Sequence, residues 1–129
     1  MRTTNAHELE AVLALDGPKR VAHFVKRVVD DERAWGLWND GWVLMRDNDG
    51  RDVFPLWPAS EYAERCRSGE WSACKVEEID LQSLLDDLLP KFLERGIMPG
   101  VFPTPAGKGV AMNAKELADA LRTEQANYE

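Results

Sequence analysis

The stretch AWGLWNDGWVLMRDNDGRDVFPLW, from Ala34 to Trp57, decides the fold that this sequence predicts. Its apolar residues follow a period of two, which is typical of β-strands, whereas helical spacing dominates before and after it. Asp40-Gly41 is a pair that favours a tight hairpin turn, and Asn48-Asp49-Gly50 is a second turn signal. The stretch therefore predicts an antiparallel meander of three strands, over residues 34–39, 42–46 and 52–57.

Pro55 lies inside the third of these strands. Proline has no backbone N–H to donate to a neighbouring strand, and it is confined to sheet edges, first positions and bulges. The third strand is therefore predicted to lie at an edge of the sheet or to end close to Pro55.

Helices and shorter strands are predicted on both sides of the meander. In the strongest helical run, seven apolar residues between Leu81 and Leu93 share one face, and Pro90 must kink or split that helix. Asp80 and Asn113 are good N-caps. The predicted helices cover Asn5–Leu15, Pro18–Arg33, Pro58 to Gly69, Asp80 to Gly96 and Asn113 to Gln125. The further strands are Cys74–Glu78, Ile97–Phe102 and Gly109–Met112, with a hairpin loop over 103–108 between the last two.

These elements predict an α+β fold in the order α-α-β-β-β-α-β-α-β-β-α. Its small mixed or antiparallel sheet consists of the three-stranded meander and about three further short strands, and helices flank it. The chain has 129 residues, so we expect a single domain over 1–129 with its own core.

Composition and charge restrict the classes of function. Hydrophobic residues make up 44% of the chain and charged residues 30%, which argues against disorder. No apolar run approaches the roughly 20 residues of a membrane span, and Met1–Glu10 lacks a signal-peptide pattern. The net charge of −7 repels phosphate backbones. We therefore expect a cytoplasmic protein with neither a membrane nor a nucleic acid as its partner.

The sequence contains no recognisable catalytic, cofactor or metal motif. Cys66 and Cys74 are not spaced as a zinc motif, and we interpret them as reduced thiols. His7 and His23 have no visible catalytic partner, and we expect both at the surface. The glycines and the lysine of residues 106–109 join two strands and open no helix, so we interpret them as a turn. We predict no catalytic residues, no metal and no cofactor.

Charged clusters are better explained by structure than by chemistry. The carboxylates of Asp30-Asp31-Glu32 and Asp86-Asp87 are interpreted as a helix end and a solvated helix face. A basic strip on the polar face of the second helix includes Lys26 and Arg27, which precede Asp30 and Asp31 by four residues. That spacing predicts local ion pairs.

Tryptophan is the unusual component, because four of five tryptophans, all but Trp71, lie between Trp35 and Trp57. Strand alternation places Trp35 and Trp38 on opposite faces of the first strand, so the sheet is apolar on both sides. Either helices cover both faces, or one aromatic face stays partly open as a binding surface. Enrichment of tryptophan at binding hot spots keeps the second interpretation open.

At Pro55-Leu56-Trp57-Pro58 the chain resembles a bacterial family catalogued as domain of unknown function 2750. The resemblance extends from the second helix to the last, and Pro-Leu-Trp-Pro is its most specific part. Other residues that carry it are Phe24, Trp35, Leu37, Gly41, Trp42, Ala63, Gly96, Phe102 and Pro103. It implies no activity, cofactor or catalytic residue.

The layout of Pro55–Ala63 and Met98–Leu121 is more faintly similar to a bacterial family named for enhanced serine sensitivity. This similarity implies a small mixed α/β module used in interactions, some of them linked to toxin systems. An acidic protein that neutralises a basic toxin is one version of such a function, because opposite charge speeds the encounter.

Two main hypotheses for function follow. The first is a non-enzymatic interaction module that binds a protein partner, or its own copy, through a tryptophan-rich sheet edge; the predicted binding residues are Trp38, Trp42, Arg46, Pro55 and Trp57. The alternative is a small-molecule binder, or an enzyme with an unfamiliar site, near the tryptophan cluster. Its candidate polar groups are Arg46, Asp47 and Arg51. An accessory regulator of a neighbouring gene product is a third possibility.

Overall fold

The computed structural model describes residues 6–47, 49–104 and 109–127. Parts of the predicted first helix, of the second turn and of the loop over 103–108 lie outside these residues. The helices are α1 (Ala6–Leu13), α2 (Gly17–Asp31), α3 (Ser60–Arg65), α4 (Leu81–Ser83), α5 (Leu89–Arg95) and α6 (Ala114–Ala126). The strands are β1 (Arg33–Trp38), β2 (Met45–Arg46), β3 (Asp52–Leu56), β4 (Lys75–Asp80), β5 (Met98–Val101) and β6 (Val110–Ala111).

This architecture confirms the α+β class and the predicted order of elements. Two features are additional: a 3-10 turn at Gly69–Trp71, and a π-helical turn at Leu84–Leu88 between α4 and α5. The strands form a sheet of two, β1-β4, and a mixed sheet of four in the order β2-β3-β5-β6. In the larger sheet β3 and β5 are parallel, and the other pairs are antiparallel.

The first strand differs from the predicted meander in its main partner. β1 pairs over its whole length with β4, from Arg33 opposite Asp80 to Trp38 opposite Lys75. Its other edge reaches the meander through two isolated bridges, Trp35 with Trp57 and Trp38 with Trp42. Of the predicted second strand, over 42–46, Trp42 bridges to β1 and Met45–Arg46 pair with β3.

Pro55 does not lie on an edge strand, because β3 has β2 on one side and β5 on the other. The alternative prediction, a strand that ends close to Pro55, is confirmed, since β3 ends at Leu56. Proline is tolerated here because β2 pairs only with Asp52 and Val53 and stops before Pro55.

The helix after Asp80 shows how Pro90 is accommodated. Asp80 caps the helix, as predicted, by accepting a hydrogen bond from the Ser83 N–H at 3.2 Å. In the π-helical turn Leu89 donates its N–H to the carbonyl of Leu84, five residues earlier. The wider turn lets Pro90 sit at the start of α5, where a missing N–H costs least.

The hydrophobic core joins the inner faces of the helices to both sheets. The predicted apolar stripe of α2 is buried at Phe24, Val25, Val28 and Val29. Leu117 and Leu121 on α6 are fully buried as well. None of the described helices combines the length and the apolar character needed to cross a membrane.

Candidate functional site

The Trp38–Leu44 segment, which connects β1 to β2, is the part of the tryptophan-rich stretch that reaches the surface. Asp40 and Gly41 both have positive φ, and the Asn39 N–H donates to the Gly41 carbonyl at 2.9 Å. Beyond this turn the Val43 N–H donates to the Leu37 carbonyl at 2.9 Å. The turn and this hydrogen bond hold the segment against the end of β1.

A continuous row of aromatic rings links this segment to the core. Trp38 and Trp42 meet edge to face, with ring centroids 5.1 Å apart at 89°. The Trp42 ring contacts Phe54 at 5.6 Å, and Phe54 contacts Phe92 at 4.9 Å. Gly36 lies beneath Trp42, because a Cβ on Gly36 would stand 3.2 Å from the indole ring. The exposed indole of Trp38 therefore rests on a fixed base.

Exposure of large apolar side chains is concentrated on this segment. Trp38 is 39% exposed and Leu44 42%; among the described residues, the one further large hydrophobic side chain with comparable exposure is Leu93, at 50%. Trp42 is half-buried between them. Of the two interpretations of the tryptophan cluster, full cover by helices and a partly open aromatic face, the exposure of Trp38 favours the second.

An apolar depression of about 330 Å³ lies on one side of the segment. Its wall consists of the side chains of Trp42, Leu44, Phe54, Leu88, Phe92 and Ile97. Two basic side chains of α5, Lys91 and Arg95, complete its rim. The depression therefore combines apolar and cationic surface.

A second depression, of about 430 Å³, lies on the other side of the same segment. It is more polar, since the turn residues Asn39 and Asp40 contribute to it together with Trp71 and Cys74. Trp42 and Leu44 line both depressions, so these two side chains form a ridge between them.

Two of the predicted binding residues are buried. Trp57 has no exposed surface, its indole N–H donates to the Pro103 carbonyl at 2.9 Å, and its ring meets Trp71 edge to face at 6.1 Å. Pro55 is buried in β3, where it lies opposite Gly100 of β5. Since neither offers surface to a partner, the binding prediction now rests on Trp38, Trp42 and Arg46, for which it stays a prediction.

The charges predicted for the alternative site do not line either depression. The highly exposed Arg46 lies 3.4 Å from the Asp52 carboxylate. Arg51 donates to Asp47 through its backbone N–H at 2.9 Å and its guanidinium at 2.8 Å. These hydrogen bonds, the backbone one foremost, hold the pKa of Asp47 below its usual value. Sequence reasoning missed Lys91 and Arg95, because they lie on a distant helix.

The second helix holds two corrections to the predicted surface. Arg27, assigned to the polar face, is only 3% exposed, and it forms the predicted ion pair with Asp31 at 3.1 Å. His23 is half-buried beside the rings of Tyr62 and Phe102, at 6.3 and 6.2 Å. α2 packs against other elements on more than its apolar stripe, so helical spacing alone misplaces these two side chains. His7 is exposed, as predicted.

Both cysteines are free and buried. The Cys66 thiol donates to the Pro103 carbonyl at 3.4 Å, beside the indole of Trp57. Burial raises the pKa of the Cys66 thiol, and the neighbouring Trp57 side chain opposes that rise only in part. This environment suits a core side chain rather than a nucleophile. In the part of the chain that the structure describes, no three His, Cys, Asp or Glu residues are grouped to hold a metal ion.

The chain belongs to the DUF2750 family, described as a protein of unknown function, because the model of that family matches residues 21–121. The resemblance carried by Pro55–Pro58 is thus confirmed. No curated protein and no solved structure matches the chain. The fainter similarity to the enhanced-serine-sensitivity family stays a prediction.

Proposed function

We propose that this member of the DUF2750 family is a non-enzymatic interaction module that binds a protein partner, or a second copy of itself, through the Trp38–Leu44 segment. One observation carries the proposal: Trp38 and Leu44, two large exposed apolar side chains, lie on either side of Trp42 in the sequence of a single segment. Apolar surface concentrated in this way is typical of interaction sites.

The rigidity of the segment supports the proposal. Trp38 is held edge to face by Trp42, whose ring packs on Phe54 in the core. A partner that buries Trp38 therefore orders little that is not ordered already, and binding loses less conformational entropy. Tryptophans anchored in this way are typical of binding hot spots.

The charge of the chain indicates the kind of partner. A net charge of −7 accelerates encounter with a basic protein and slows encounter with an acidic one. A cytoplasmic location in a bacterium is part of this proposal; the free thiols of Cys66 and Cys74 suit a reducing compartment.

Affinity capture with matched variants tests the proposal. The purified protein and the double variant Trp38→Ala/Leu44→Ala are used to capture proteins from the native cytoplasm, and light scattering measures self-association. Leu93→Ala is the control, because it removes another exposed apolar side chain, one that lines neither depression. We expect a captured protein or a dimer that the double variant loses and the control keeps. The proposal is contradicted if the double variant and the control capture the partner equally well. It is also contradicted if the wild type captures no partner and forms no dimer.

A second candidate, a small-molecule binder, is favoured by the depression of about 330 Å³ beside Trp42. Its volume is at the lower end of the range for ligand pockets, and its apolar wall with a few polar groups is typical of them. Since Trp42 and Leu44 line this depression and also form the ridge, a bound ligand would also alter the proposed protein-binding surface.

A further inference from the structure

The depression beside Trp42 is apolar on its walls and cationic on its rim. Trp42, Phe54 and Phe92 supply aromatic surface, while Leu44, Leu88 and Ile97 supply aliphatic surface. Phe54 and Phe92 are buried, and Trp42 is half-buried, so the walls belong to the core. Such a surface favours a hydrocarbon or aromatic group over water.

The two cations on the rim, Lys91 and Arg95, are not held in ion pairs by the residues that the structure describes. They stand four positions apart on α5, so they lie on the same face of the helix. Like charges at this spacing repel each other, and an anion bound between them would relieve that repulsion.

The geometry points to a small apolar carboxylate as the occupant of this depression. Its apolar body would lie against Trp42, Phe54 and Phe92, and its carboxylate would accept charge-assisted hydrogen bonds from Lys91 and Arg95. A volume of about 330 Å³ holds roughly ten non-hydrogen atoms at about 30 Å³ each, which is the size of octanoate. This inference rests on the small-molecule candidate above and assigns its ligand class.

The local charges favour a carboxylate even though the whole chain is acidic. At physiological ionic strength the field of distant charges is screened within about 8 Å, so the nearest side chains determine which ion binds. Among the residues that line the depression, the two charged ones, Lys91 and Arg95, are both basic. A neutral apolar molecule of the same size would gain the same wall contacts without the two cationic ones.

Calorimetric titration with octanoate and with neutral 1-octanol tests the assignment. The variant Lys91→Gln/Arg95→Gln removes both charges from exposed positions and so should fold; circular dichroism checks this. Lys26→Gln/Lys75→Gln is the control, because it changes the net charge similarly at exposed positions of α2 and β4. We expect saturable binding of one octanoate per chain. The affinity should be about tenfold weaker in the Lys91/Arg95 variant, which corresponds to about 1.4 kcal/mol, and unchanged in the control.

The pattern of failure separates the inference from the candidate function beneath it. If octanol binds as tightly as octanoate and the Lys91/Arg95 variant binds both normally, the carboxylate assignment is overturned and the small-molecule site stands. If neither compound binds, both are overturned. The variant Leu44→Gln should weaken both ligands, because Leu44 lines the wall; unaltered binding would place the ligand elsewhere and overturn the inference.

Discussion

Trp57 and Trp38 come from the same tryptophan-rich stretch and reach opposite environments. Trp57 is fully buried, with its N–H bonded to Pro103 and its ring against Trp71. Trp38 is 39% exposed and rests on Trp42, four residues later in the chain. The difference therefore lies in the residues that each ring contacts. Residues distant in the sequence enclose Trp57, whereas Trp38, at the end of β1, packs against Trp42 close to it in the sequence.

This comparison separates scaffold from candidate surface. Trp57 joins the end of β3 to β1 through two 2.9 Å backbone hydrogen bonds with Trp35. Its side chain is bound to the same Pro103 carbonyl that accepts from Cys66. The side chain of Trp38 packs on Trp42 of its own segment, so its exposed ring is available for recognition. Substitutions that affect the two residues differently test this division.

The largest expected effect is that of Trp57→Ala. Removing a fully buried tryptophan leaves a cavity and leaves the Pro103 carbonyl with only the weaker Cys66 thiol donor, which should lower the free energy of unfolding by about 3–5 kcal/mol. Urea denaturation measures the change. Because that loss approaches the whole stability of many domains, Trp57→Phe is the second variant, with an expected loss of about 1–3 kcal/mol. A loss below 1 kcal/mol for both variants would contradict the scaffold role.

Gly36→Ala tests the base on which the exposed segment rests. The added methyl group would lie 3.2 Å from the Trp42 ring and 3.3 Å from Ile79 and Phe54. Overpacking at such a position costs about 1–3 kcal/mol, and we expect the lower end, since half-buried Trp42 can yield. The near-ultraviolet circular dichroism of the Trp38–Trp42 pair should change with it. An unchanged spectrum at unchanged stability would show that Gly36 does not support Trp42.

Features that depend on neighbouring residues were predictable from the sequence. The caps at Asp80 and Asn113 and the division of a helix near Pro90 follow from interactions within a few positions, and the structure confirms them. The pairing of β1 with β4 was not predictable, because β4 is distant in the sequence and the Asp40-Gly41 turn signal favours the adjacent strand as the partner of β1. Period and propensity do not encode which of two matching strands becomes the neighbour.

The same limit applies to the candidate site. The sequence located the aromatic cluster, because its composition is unusual, but it could not separate exposed Trp38 from buried Trp57. It also assigned nearby charges to the site, whereas Lys91 and Arg95 reach the depression from α5. Composition thus identified a region, and only tertiary packing determined which side chains face solvent.

Trp38→Ala, the matched partner of Trp57→Ala, should cost about 1–2 kcal/mol, less than the loss expected for Trp57→Ala. It removes one aromatic pair and the buried part of a side chain that is already partly hydrated. Acrylamide quenching should separate the two residues by exposure. Trp38→Phe removes an exposed indole and lowers the quenchable fraction of tryptophan fluorescence, whereas Trp57→Phe removes a buried indole and raises that fraction. Equal quenching of the two variants would abolish the distinction between the regions.

The smallest effect concerns the buried thiol beside Trp57. Because burial raises the pKa of Cys66 above its ordinary value, the thiol ionises in the unfolded chain at a pH where the folded chain keeps it protonated. Above the ordinary thiol pKa the unfolded state therefore binds fewer protons than the folded state, and the free energy of unfolding falls as pH rises. The contribution of the protonated Cys66 thiol to stability is fully present below the ordinary thiol pKa and is lost as pH rises towards the pKa of the folded state. We expect unfolding free energy measured between about pH 8 and 10 to fall less steeply for Cys66→Ala than for the wild type. Cys74→Ala controls for loss of a buried sulfur. Parallel pH profiles for Cys66→Ala and the wild type would mean that the Cys66 thiol is not shielded from water beside Trp57 and the Pro103 carbonyl. The contrast between a closed environment around Trp57 and an open one around Trp38 would then fail.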